Sequence, residues 1–218
     1  MTAALKRASA RGVAVHVVYD GTAARTLAYL AADADFAAAC ATCEPRPKRN
    51  GLMHNKFIVL ACDGEPTAVL TGSANFTRGG LFGQHNVVHV LDDAALAGRY
   101  LAYWHKLRVS DGVKAFAQWN EAESPLQLAR APSVDVIFCP RKSTALLTWL
   151  AGLIAGAQSC VCVSAPFGVC KQFTAALLAL HGFVEALFFP PQWLTTTQRG
   201  TDRSSSCCWR TRRAWTPH

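Results

Sequence analysis

The apolar positions of this chain switch between two periods, and the switches predict its elements. Residues 3–11 read as a helix stopped by Gly12 at the C′ position. Residues 13–19, VAVHVVY, are a β-branched run that predicts a buried strand. Asp20-Gly21-Thr22 turns the chain into an Ala-rich helix over about residues 23–41, and a Pro-interrupted basic loop covers residues 44–51. Runs near 54–61 and 68–71 flank Asp63-Gly64, the pattern of an antiparallel hairpin. Residues 75–83 loop back, with Gly79-Gly80 permitting close backbone approach, and HNVVHVL at 85–91 gives another strand. Asp92-Asp93 then caps a helix over about 94–107. A connector with Trp119 and Pro125 spans 110–133. A second cycle follows: strand 134–139, helix 144–157, strand 160–165 and helix 171–180. The succession predicts an α/β layered fold, a mixed sheet flanked by helices, with one complete lobe and the start of a second.

Composition supports a folded body. Hydrophobic residues make up 51% of the 218 and charged residues 17%, enough apolar surface to bury a core and too little charge for a disordered chain. The formal charge of +8 would suit a polyanionic partner, but its distribution weakens that reading. Arg199, Arg203, Arg210, Arg212 and Arg213 against Asp202 place +4 of it in the last twenty residues. There apolar periodicity vanishes, and Thr, Ser, Arg, Trp and Cys crowd together. Residues 182–218 are therefore expected to be an irregular basic tail, as though the reading frame had changed; mass spectrometry of the native product tests that origin.

Nine cysteines, with no charged-then-apolar leader at residues 1–12, fit reduced thiols and a cytoplasmic location. Cys40 and Cys43 have a metal-like spacing without a second pair, so no metal or other cofactor is expected. Residues 144–157 are strongly apolar, yet shorter than the about 20 residues a bilayer span requires. A helix followed by a buried strand accounts for them, and no membrane span is expected.

The chemistry is concentrated in residues 53–77, MHNKFIVLACDGEPTAVLTGSANFT. His54 and Lys56 are two apart, so an extended backbone points both side chains to one face. One supplies an imidazole nucleophile or proton donor, the other a fixed positive charge. Gly72, Ser73 and Asn75 add a flexible backbone N–H, a hydroxyl and an amide, donors suited to phosphate oxygens. Together they predict a phosphate-ester site built from two neighbouring strands. In the preceding loop, Lys48 and Arg49 could attract such a substrate, although a solvated loop is the default.

This segment resembles the HKD motif of the phospholipase D superfamily, H-x-K-x4-D followed by G-S-x-N. His54, Lys56, Gly72, Ser73 and Asn75 match; the aspartate position holds Ala61. Asp63 shares the parity of Ala61 but lies one pleat, about 6.6 Å, further along, and is the candidate for the missing acid. The spacing from His54 to Gly72 exceeds the common form, which a hairpin lengthened equally on both arms would explain. Asn86 falls where the family often places a polar residue near the site.

The resemblance covers about residues 1–180. It implies a phospholipase D-like lobe over 1–109, a connector over 110–133 and a partial second lobe over 134–181. It also implies metal-independent phosphodiester hydrolysis, of phospholipid or nucleic acid, through a phosphohistidine on His54. A histidine from a second motif would protonate the leaving oxygen. That second motif is absent from the sequence, so a homodimer or a separate lobe is needed to complete the site. The alternatives are an inactive fragment that keeps a phosphate pocket, and a basic nucleic-acid-binding module whose affinity falls with salt and does not need His54. His16, His85 and His89 read as packing or supporting residues, and Trp104, Trp119 and Trp149 as core or connector anchors.

Overall fold

The computed structural model describes residues 2–21, 28, 34–46, 53–109, 112–126, 134–158, 161–165, 168–180 and 184–185. The chain divides into two compact units, Met1–Lys142 and Ser143–His218. Most of the helix expected over 23–41, Lys48 and Arg49 of the basic loop, and nearly all of the basic tail lie outside the described residues.

The first unit opens with helix α1 (Thr2–Ala10). A pair of bonds closes its C-terminus, Gly12 N–H to Ser9 O and Val13 N–H to Ala8 O, the Schellman pattern that Gly12 announces in the sequence. Strand β1 (His16–Asp20) follows, then short helix α2 (Ala34–Ala38) and strand β2 (Thr42–Arg46). β1 and β2 pair in parallel, from His16 opposite Thr42 to Asp20 opposite Arg46. β2 was not legible in the sequence. TCEPR has no alternation and contains Pro45, a residue that sheets accept only at edges or bulges.

Strands β3 (Phe57–Cys62) and β4 (Glu65–Gly72) form the expected hairpin, and β5 (Val88–Leu91) adds antiparallel to β4. Positive φ at both Asp63 (51°) and Gly64 (85°) makes the turn type I′, whose twist matches the strands. The arms are not lengthened equally. Leu60 pairs with Ala68 but Ala61 pairs with Pro66, so β4 carries one extra residue, Thr67, in a bulge. Its hydroxyl donates to Leu60 O at 3.3 Å.

Helix α3 (Arg78–Phe82) is capped by Thr77, whose hydroxyl accepts from Gly80 N–H. Asp93 caps α4 (Ala94–Arg108) by accepting from Leu96 N–H, as the sequence predicts. α4 organises the unit. Leu96 and Ala97 bury against Val69 of β4, with Val59, Leu91 and Phe57 packed around them. Tyr100 and Tyr103, three residues apart and so on one face of the helix, bracket Phe57 with ring centroids at 5.2 and 5.8 Å. Tyr103 also stacks on Phe138 at 4.3 Å and packs with Leu107 and Phe116. This burial raises the Tyr103 phenol to about 12.

The segment expected as a connector contains helix α5 (Val113–Glu123), which buries Phe116, Ala117 and Asn120. The strand expected at 134–139 does not pair. Phe138 instead inserts among the α4 and α5 aromatics, its N–H donating to the buried Ser124 hydroxyl at 3.0 Å. Arg99 fixes the same segment by pairing with Asp135 and donating to Glu123 O and Val136 O. Residues 134–142 therefore belong to the first compact unit. Phe138 is buried, and Val136 partly buried, by helix packing in place of strand pairing.

In the second unit, helices α6 (Ala145–Ala155) and α7 (Lys171–Ala179) pack together. Two-residue strands β6 (Val161–Cys162) and β7 (Val184–Glu185) pair in parallel. Among the described residues, no helix is long and apolar enough to cross a membrane.

Candidate phosphodiester site

The site is set by where β3 starts. Met53 to Lys56 are not in a strand; the ladder begins at Phe57 opposite Thr71. The expectation that His54 and Lys56 ride on the strand is thus corrected by a few residues. The aromatic clamp explains the boundary: Phe57 is the first side chain of the run that α4 buries, held between Tyr100 and Tyr103.

Lys56 nonetheless stays against β4. Its carbonyl accepts from the Thr71 hydroxyl at 3.5 Å, and Tyr100 O–H lies 3.1 Å from the same hydroxyl oxygen. The Lys56 ammonium donates to His54 O, folding the two-residue approach back on itself. Partial burial disfavours the charged amine and lowers its pKa from the ordinary lysine value. His54 is exposed. Tyr100 and Thr71, which hold this approach in place, were missed in the sequence, because an ordinary helix tyrosine and strand threonine carry no motif.

At the other strand end, Gly72 has φ 155° and passes so close to β5 that a Cβ there would overlap Val87 O. Ser73 follows directly. Its N–H donates to Val87 O at 2.9 Å, and its hydroxyl accepts from Val87 N–H at 3.0 Å. That hydroxyl donates to Asn86 Oδ1 at 3.1 Å, while Asn86 Nδ2 donates to Gly80 O at 2.9 Å. Asn86 therefore ties the serine to the α3 loop. Asn75 is exposed; its carbonyl accepts from Thr77 N–H at 2.7 Å.

The hairpin brings Lys56 beside Thr71 and Gly72, with His54, Ser73 and Asn75 within three residues of that row and Asn86 bonded to Ser73. It does not bring Asp63. That residue occupies the turn at the opposite end, seven positions from Lys56 along β3, or roughly 20 Å at the rise of a strand. Asp63 thus stands apart from the row of His54, Lys56, Ser73 and Asn75. Among the described residues no three His, Cys, Asp or Glu side chains gather as a metal site would require. His16 is satisfied within the fold, its Nδ1 2.9 Å from the Thr42 hydroxyl and its ring against Trp104.

The family model described as cardiolipin synthase, PLD-like domain, matches residues 1–108. No curated protein matches the chain. The matched stretch contains β1 through α4, and with them the whole His54-to-Asn86 arrangement. Through residues 1–108 the chain belongs to the phospholipase D superfamily.

Proposed function

We propose that the chain supplies one half of a metal-independent phosphodiesterase site. The observation that carries this reading is the hairpin register. Phe57 opposite Thr71 sets the His54–Lys56 approach beside the Gly72–Asn75 end of β4, so a nucleophile and phosphate donors converge on one edge. His54 attacks phosphorus, the P–O bond to the leaving group breaks, and a phosphohistidine forms. Lys56 and the Asn75 amide neutralise charge on the non-bridging oxygens. The Ser73 hydroxyl already donates its hydrogen bond to Asn86 Oδ1, so it serves to hold the loop unless Asn86 releases it. A second histidine protonates the leaving oxygen and then activates water to cleave the P–N bond. That histidine comes from a second copy or a separate lobe, and the substrate is a phospholipid or nucleic-acid diester.

A second reading has its own support. No second His-x-Lys with Gly-Ser-x-Asn occurs in the sequence, which favours a phosphate-binding half-site without turnover. Hydrolysis of bis(p-nitrophenyl) phosphate in EDTA separates the two. Turnover lost in His54→Ala supports the enzyme; absent turnover with retained phosphate binding supports the half-site. The domain limits follow the same logic: a phospholipase D-like lobe over 1–109 and a partial second lobe over 134–181, with residues 134–142 packed on the first unit.

A further inference from the structure

The rim of the site carries exposed apolar side chains. Leu81 is 52% exposed, Phe82 85%, Val87 55% and Val88 43%. These residues are anchored to the site itself. Gly80, just before Leu81, is bonded to Asn86, which is bonded to Ser73. Val87 exchanges backbone and side-chain bonds with Ser73, and Val88 pairs with Gly72. A phenyl ring left this exposed at the end of a short, anchored helix is costly in water, and such patches beside a site mark contact with an apolar partner.

Charge indicates which partner. Residues 72–91 contain no carboxylate, only Arg78 as a full cation with His85 and His89. Within residues 53–93 the four acids are Asp63, Glu65, Asp92 and Asp93. The first two sit at the hairpin turn, and the others follow β5 past its pairing of Leu91 with Val69. Acids thus collect at the turn end of the sheet, whereas Lys56 and exposed Arg78 stand at the site end. A surface approaching the site meets positive charge and protruding Leu and Phe side chains together.

We propose that this rim docks the site on an anionic phospholipid bilayer, with Leu81 and Phe82 entering the acyl boundary and Arg78 and Lys56 facing the headgroups. The inference rests on the phosphodiester reading and deepens it, since the site would then meet its diester in a lipid headgroup. Leu81, Val87 and Val88 are aliphatic and give bases nothing to stack on, which leaves the ring of Phe82 alone among these four and favours acyl chains over a run of stacked bases.

The test is co-sedimentation of the full chain with vesicles of phosphatidylcholine and phosphatidylglycerol, 7:3, and with pure phosphatidylcholine. The expected result is binding to the mixed vesicles that weakens without the anionic lipid. In the double variant L81S/F82S it should fall by roughly tenfold or more, from two apolar side chains leaving the acyl region. Both positions are exposed, so the variant should fold, and an unchanged thermal unfolding curve checks this. Its turnover of bis(p-nitrophenyl) phosphate should match the wild type. F82W gives a second readout: emission quenched by brominated lipid beyond the wild-type background. H54A separates the two claims, because it should bind vesicles normally whatever its turnover. Equal sedimentation of L81S/F82S and wild type, no vesicle binding at all, or binding to an oligonucleotide that only the double variant loses would overturn the proposal.

Discussion

Gly72→Ala tests the close approach on which the site depends. The added Cβ would overlap Val87 O and come within 3.0 Å of both Val87 C and Val88 Cα, and φ 155° lies where a side chain is strained. All three neighbours are backbone atoms of Val87 and Val88, at the entry to β5, so no side chain can rotate away. β5 must move, and the Ser73 N–H to Val87 O and Val87 N–H to Ser73 Oγ bonds at 2.9 and 3.0 Å move with it. Two weakened hydrogen bonds cost about 1–3 kcal/mol together, and the backbone strain adds about 1–3 kcal/mol. A destabilisation of about 2–6 kcal/mol is therefore expected. Urea unfolding followed by far-UV circular dichroism measures it, as a lower midpoint at unchanged slope. Turnover should fall more steeply than stability explains, because Ser73 and Asn86 are displaced. A midpoint within about 0.5 kcal/mol of wild type would refute the reasoning and mean that β5 does not pass Gly72 as described.

Three further outcomes are expected. The lowered pKa of Lys56 means that its ammonium deprotonates below the ordinary lysine value of 10.5. The rate should then decline on a basic limb below that pH, and Lys56→Arg, which cannot deprotonate, should lose this limb. The same shift makes folding more favourable as pH rises between the folded and unfolded lysine values, because the unfolded state binds the proton more readily. Leu107, 2% exposed among Tyr103, Phe116 and Phe138, should cost about 2–5 kcal/mol when changed to Ala; an unaltered thermal midpoint would show that this cluster is not a packed core.

What the sequence determined by itself was local. Gly12 ended α1, Asp63-Gly64 chose a I′ turn, Asp93 capped α4, and His54, Lys56, Gly72, Ser73, Asn75 and Asn86 marked the candidate site by their types and spacing. Each depends on neighbours within a few residues, so the chain order encodes it. Tertiary packing decided the rest. TCEPR became β2 because parallel pairing with β1 overrode a weak local preference. The segment around Phe138 gave up its strand pattern because the aromatic faces of α4 and α5 offered it a buried stack. Thr67 bulged from β4 while pairing placed Asp63 at the far end of the hairpin. Phe57, clamped by Tyr100 and Tyr103 from a helix more than forty residues later, fixed where β3 begins and therefore where His54 and Lys56 stand. Burial is shared between segments distant in sequence, and no local pattern records which partner a side chain will find.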